Sequence, residues 1–140
     1  MSLGEDLVAY LKAQTAVSDL VGAKIFPGVG ATSQALPYIT LQKITGISEK
    51  HATGTTPLTE EAWQVDVWSA TILLAREITA AIRDVLDDVT TDIGSTTIER
   101  TYLEDESESH EFDRDGSEAG HYRIRMTFDI HYRRTAPTGP

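Results

Sequence analysis

The sequence predicts an α+β domain, with a mainly antiparallel sheet and two helices packed on one face. Residues 121–134 alternate apolar with basic or polar side chains, which is the pattern of a long strand covered on one side. Two shorter β-rich stretches upstream flank a polar insert and indicate a hairpin. Apolar residues at helical spacing near the amino terminus and before residue 86 predict amphipathic helices that cover the sheet.

The amino-terminal part is predicted to be helical. Apolar residues recur at helical spacing from Leu3 to Leu11, and Glu5 and Asp6 suit the positive end of a helix dipole. A short helical turn follows and ends at Gly22, a residue suited to the left-handed cap. Ile25 and Phe26 then form a brief strand. The following Gly-rich loop lacks the lysine of a phosphate loop, so no nucleotide site is predicted.

Residues 38–48 and 62–69 are predicted to form the hairpin, with the insert at 49–60 as its mobile tip. Trp68 falls on the face of the second strand opposite to its core residues. Two interpretations stay open: the indole packs within the domain beneath the following helix, or it marks a contact between subunits.

The main helix is predicted to be capped by Ser69 or Thr71 and to end at about Leu86. Its apolar stripe consists of Leu74, Ile78, Ala81, Ile82 and Val85. A connection over 87–94 leads to a strand over 96–103. The acidic segment at 104–120 is predicted to be a mobile loop before the last strand, because carboxylates in a run repel one another.

The composition predicts one soluble globular domain over residues 1–134, followed by a flexible tail over 135–140. The chain has 140 residues, no cysteine and a formal net charge of -10. Disulfides are therefore excluded, and an acidic surface disfavours non-specific binding to nucleic acid. The acidic amino terminus is unlike a signal peptide, so no standard export is expected.

No catalytic, cofactor or metal site is predicted. The acidic segment partly matches a calcium loop from Glu111, but the match fails at Tyr122, where a bidentate glutamate should stand. Weak binding of divalent ions by this segment stays open. His121 and His131 would lie about 33 Å apart on one strand and could share a metal only with a second chain.

The basic row of the last strand is the main candidate for interaction. One interpretation is a solvated sheet face whose arginines pair with Glu99 and other cross-strand neighbours. The other is that this row meets the acidic segment of a second copy, a head-to-tail contact that can close a ring. The interface candidates are Arg123, Arg125, Arg133, Glu106, Glu108, Glu111, Asp113 and Asp115.

Four stretches in order resemble a family of small proteins from long-tailed phages and prophages. They are DLVGAKIFPG at 19–28, LPYITLQ at 36–42, WQVDVWSAT at 63–71 and YRIRMTFDIHYR at 122–133. Together they are similar to tail-completion or tail-terminator proteins. The insert at 104–120 and the Pro-ended tail have no counterpart in the family pattern.

The resemblance implies a non-enzymatic virion component without a cofactor, made in the host cytoplasm. It implies a homo-oligomeric ring, commonly a hexamer, at the head-proximal end of the tail. There it would stop growth of the tail tube and join the head connector, with DNA passing through and no membrane involved. The alternatives are a small ligand-binding or regulatory module, which needs an apolar pocket, and a metal-dependent enzyme, which needs converging histidines.

Overall fold

The computed structural model describes residues 3–27, 36–48, 58–94, 96–111 and 121–134. These residues form an α+β fold, as predicted, with three helices where the sequence predicted two. The helices are α1 (Leu3–Ala13), α2 (Thr15–Val21) and α3 (Ile72–Leu86), and the strands are β1 (Ile25–Pro27), β2 (Tyr38–Ser48), β3 (Leu58–Ser69), β4 (Asp92–Ile93), β5 (Thr96–Glu111) and β6 (His121–Arg134). None of these helices has the length and apolar character needed to cross a membrane.

The six strands form one mostly antiparallel sheet in the order β1-β2-β3-β6-β5-β4. Only β1 and β2 pair in parallel. The last strand in the sequence, β6, lies inside the sheet and pairs with β3 on one side and with β5 on the other. Both long edges of β6 are thus hydrogen-bonded to neighbouring strands. Its alternating pattern is clear because one of its two faces is buried.

The core lies between the sheet and the helices, with α1 packed on β1 and β2. Its central part is formed by three elements, α3 and the two strands on which it packs, β3 and β6. Alternate side chains of β6 point to opposite sides of the sheet, so its apolar row faces one way. The fully buried core residues from these three elements include Val65, Val67, Ile78, Ile82, Ile124, Met126, Phe128 and Ile130. Leu74, Ala81 and Val85, the rest of the predicted helical stripe, are partly buried against this core.

Two polar contacts attach α1 to distant parts of the chain. The Tyr10 hydroxyl donates to the carbonyl of Val85 at 2.6 Å. Asp6 is only 1% exposed and accepts a hydrogen bond from the Thr96 hydroxyl at 2.9 Å. Gly94 has a φ of +59°, and a Cβ there would lie 2.4 Å from Asp6 Oδ1. Asp6, which was predicted only to favour the helix dipole, therefore also attaches α1 to the start of β5.

The cap of α3 follows the prediction, whereas the cap of α2 is the predicted glycine but not in the predicted left-handed helical conformation. The Thr71 hydroxyl accepts from the amide of Leu74 at 3.2 Å and caps α3. Gly22 ends α2 with a φ of +65°, and its amide donates to the carbonyl of Ser18 at 2.7 Å. Its ψ of -135° lies outside the left-handed helical region, so this cap uses a conformation that only glycine adopts readily.

The prediction of a mobile acidic loop at 104–120 is wrong for residues 104–111, which belong to β5. In this part of β5 the residues pair with β6 in antiparallel register as far as Glu111 opposite His121. The backbone pairing offered by β6 along its whole length outweighs the mutual repulsion of the carboxylates. Residues 112–120 lie outside the described part of the chain.

The hairpin is longer than predicted, because β3 begins at Leu58 instead of residue 62. The rest of its predicted tip, 49–57, and the predicted tail, 135–140, lie outside the described residues. The connection predicted over 87–94 contains the short strand β4, which pairs with Thr96 and Thr97.

Candidate functional site: the polar face of the sheet

The polar face is defined here as the side of the sheet opposite to α3, where the odd-numbered residues of β6 lie. It arises because the even-numbered residues of β6 from Ile124 to Tyr132 are buried against the core and strand side chains alternate. The residues of β6 on this face are His121, Arg123, Arg125, Thr127, Asp129, His131 and Arg133. All three arginines predicted for an interface therefore share one face.

Arg123 and Arg125 both contact the carboxylate of Asp66. Arg123 Nη2 lies 2.7 Å from Asp66 Oδ2, and Arg125 Nε lies 3.5 Å from Asp66 Oδ1. Asp66 lies on β3 directly opposite Arg125, and Arg123 is two residues earlier on β6 and points to the same face. The Arg125 side chain is 45% exposed, against 20% for that of Arg123. The guanidinium of Arg125 is therefore the more accessible of the two to solvent.

Trp68 packs within the domain, but not beneath the following helix. Its indole N–H donates to the Thr40 hydroxyl at 3.1 Å, and its ring stacks on Tyr38 with centroids 5.8 Å apart. The guanidinium of Arg123 lies over the indole, 4.6 Å from the ring centroid. Trp68 therefore packs on the polar face, and the prediction that places it under α3 is wrong because α3 covers the other face. This packing helps to fix Arg123 in position.

Arg133 forms the solvent-exposed ion pair with Glu99 that the first interpretation of the basic row predicted. Its Nε donates to Glu99 Oε1 at 2.9 Å, and both side chains are more than a third exposed. Exposed pairs of this kind contribute about 0–1 kcal/mol to stability. Arg133 is therefore a weak anchor for the fold.

The structure places Glu106 and Glu108 on the opposite side of the sheet from the arginine row. They are in register with the buried residues Met126 and Ile124 and point towards α3. Glu106 lies 3.6 Å from Arg83, and Glu108 accepts two hydrogen bonds from Arg76, at 2.7 and 3.0 Å. These bonds lower the pKa of Glu108 and raise that of Arg76.

The remaining predicted carboxylates are at and beyond the end of β5. Glu111 is the last residue of that strand and is in register with His121, but its side chain is not described. Asp113 and Asp115 lie outside the described residues. The structure therefore brings the three arginines together and separates Glu106 and Glu108 from them.

A second cluster on the polar face consists of Glu60, Asp129 and His131, which sequence reasoning missed. One ligand atom from each lies within 4.8 Å of the other two. Asp129 and His131 are two residues apart on β6, and Glu60 is directly opposite His131 on β3. The spacing of Asp129 and His131 was visible in the sequence, but the register that adds Glu60 was not.

The fold is similar to that of a chain in a solved structure described as the virion of a native gene transfer agent particle. The match has a TM-score of 0.70 and covers 94% of this chain and 95% of that chain. The two sequences are 17% identical, so this similarity shows the fold alone. None of the curated proteins matches this chain.

A family model matches nearly the whole chain. Its description is tail completion protein gp17, and the match extends over residues 5–133. It includes β3 and all but the last residue of β6, the two strands that carry the arginines and Asp66. The fold and this match together define the class of protein, a structural component of a phage tail. The chain belongs to the tail completion protein gp17 family, as the four sequence stretches predicted.

Proposed function

We propose that this protein forms a ring at the head-proximal end of a phage tail, where it ends growth of the tail tube and joins the tail to the head connector. The observation that carries the proposal is the family match over residues 5–133. Its partners are further copies of itself, commonly six in a ring, together with the tail-tube protein and the connector. The net charge of -10 suits a component that DNA passes without binding to it.

Arg125 is the arginine of the polar face best placed to contact the next copy. Arg123 is held by Asp66 and by the Trp68 ring, and Arg133 is held by Glu99. Arg125 has the longer contact with Asp66, 3.5 Å, and the more exposed side chain. Its guanidinium keeps donors directed away from Asp66, and a carboxylate of a neighbour can accept them.

We infer that the acceptor comes from the far end of the acidic segment, Glu111, Asp113 or Asp115. Glu106 and Glu108 are less suitable because α3 already binds them and they lie on the other side of the sheet. A contact between two different surfaces of identical subunits is head-to-tail and closes into a ring when the rotation fits. Exposed ion pairs are weak and screened by salt, so we expect assembly on the tail tube, with a free protein that is monomeric when dilute.

The edge of the sheet supports the same head-to-tail arrangement. Within the described residues, strand β4 pairs with Thr96 and Thr97, and the connection before it bonds β5 at Thr101 and Leu103. The outer edge of β5 extends beyond these contacts to Glu111. An outer edge of this kind can pair with a strand of another chain.

Strand direction makes such pairing compatible with a ring. Three antiparallel steps separate β2 from β5, so these two strands run in opposite directions. Pairing of β5 in one copy with β2 in the next is then antiparallel, and every copy keeps the same orientation about the ring axis. Because β1 already pairs with residues 39–41 of β2, the neighbouring strand has to be shifted towards Ser48. Such a stagger corresponds to the strand tilt of a closed barrel.

The test is charge reversal at Arg125, with charge reversal at Arg76 as the matched control. Arg76 is also an exposed arginine bonded to a carboxylate, but it lies on α3, away from the polar face. Each variant replaces the wild-type protein in a phage or prophage that lacks the gene. Circular dichroism confirms the fold, and electron microscopy scores terminal rings and joined heads.

We expect Arg125→Glu to reduce ring formation and joining, and Arg76→Glu to leave both near wild type. Normal joining by folded Arg125→Glu would overturn the role of Arg125 and leave the tail role intact. Deletion of the whole gene tests the tail role itself. Tails of normal length on joined, infectious particles after deletion would overturn it.

A further inference from the structure

Glu60, Asp129 and His131 form a compact donor set on the polar face. His131 Nε2 lies 3.2 Å from Asp129 Oδ2 and 3.8 Å from Glu60 Oε1. The side chains of Asp129 and His131 are 14% and 27% exposed, and that of Glu60 is 45% exposed. The two ligands on β6, Asp129 and His131, are therefore largely shielded from solvent, and the ligand on β3, Glu60, is exposed.

We propose that this cluster binds a divalent transition-metal ion, with zinc as the preferred metal. One imidazole and two carboxylates make a mixed nitrogen and oxygen donor set, which suits Zn²⁺ better than Mg²⁺ or Ca²⁺. Three protein ligands leave a fourth position for water or for a group from a partner. The proposal concerns a binding site and is independent of the ring.

The distances agree with those around a tetrahedral ion. With metal–ligand bonds of about 2.0–2.2 Å, neighbouring ligand atoms in a tetrahedron are about 3.4 Å apart. The two separations from His131 Nε2, 3.2 and 3.8 Å, lie on either side of this value. The ligand atoms of Glu60 and Asp129 lie within 4.8 Å of each other, and rotation of the exposed Glu60 side chain can adjust this third separation.

The surroundings favour a cation at this position. Glu60 and Asp129 place two carboxylates side by side, and oxygen ligands of this type attract a divalent ion. The arginine in register with His131 on β5, Arg100, has its Nε 2.9 Å from Asp88 and neutralises that carboxylate instead. The ring of Tyr102 meets the His131 ring edge-on, with centroids 5.8 Å apart, and restricts its orientation.

Zinc binding has a consequence that can be measured. An ion that binds only the folded state raises the melting temperature.

The experiment is isothermal titration of the metal-free full chain with zinc chloride in a non-chelating buffer. The variants are His131→Gln and Asp129→Asn, each checked by circular dichroism. His110→Gln is the matched control, because His110 is an exposed histidine on β5 in register with Tyr122, away from the cluster. Magnesium chloride in place of zinc tests the choice of metal.

We expect one zinc per wild-type chain and per His110→Gln chain, with a zinc-dependent rise in melting temperature. Loss of one of three ligands should weaken binding at least as much as loss of an outer-shell partner, about tenfold or more, in His131→Gln and in Asp129→Asn. Equal affinity and stoichiometry in the wild type and these two folded variants would place any bound zinc elsewhere, including the acidic segment, and overturn the proposal. Absence of zinc binding by the wild type, or equal affinity for magnesium, would overturn it as well.

Discussion

Replacing Phe128 by alanine tests how the two faces of β6 are assigned. Phe128 is completely buried and lies in register between Trp63 on β3 and Leu103 on β5. Truncating a buried phenylalanine costs about 3–5 kcal/mol, because it removes apolar contacts and leaves a cavity. Domains of this kind have about 5–15 kcal/mol of stability in total, so this single change should remove a large part of it.

The matched control is Arg125→Ala on the opposite face of the same strand. Its ion pair is half-exposed, and Asp66 keeps its shorter bond to Arg123, so the expected loss is below about 1 kcal/mol. Urea denaturation followed by circular dichroism measures both changes. With a slope of about 2 kcal/mol per M, Phe128→Ala should lower the midpoint by about 2 M. Equal losses for the two variants would show that the faces are assigned wrongly.

Two further changes test the packing of α1 and the ion pairs of β5. Gly94→Ala should destabilise the fold more than Gly22→Ala. Both glycines have a positive φ, but only a Cβ at Gly94 would collide with Asp6. Equal melting temperatures for the two variants would contradict this. NMR titration should give a Glu108 pKa below the ordinary value in the wild type and a higher one in Arg76→Ala. Since the folded-state pKa is lowered, the stabilisation is present above the unfolded pKa and is lost as the pH falls through the folded one. The same Glu108 pKa in both proteins would exclude Arg76 as the cause.

The sequence carried enough information for the element types wherever one face is buried. Alternation in 121–134 and helical spacing in 72–86 both reflect burial against the same core, so each pattern was strong. The strand predicted at 96–103 was correct in type but too short. Residues 104–111 have no apolar side chains, so no periodicity could show that the strand continues. Their strand conformation depends on pairing with β6.

The candidate sites were predicted only in part, because they depend on contacts between strands. The sequence located the basic row on one face of β6. It could not show that Asp66 is shared by two arginines, or that Glu108 bonds α3 instead of facing that row. The Glu60 cluster needed the register between β3 and β6.

The sequence by itself determined the α+β class, the two principal helices, the central strands and the face of β6 that is polar. These features depend on periodicity and capping, which act between residues close in the chain. The tertiary structure decided strand order, the full length of β5, the ion-pair partners of the arginines and the cluster around His131. Each of these depends on register between segments far apart in sequence, and a shift of one residue would exchange the two faces of a strand.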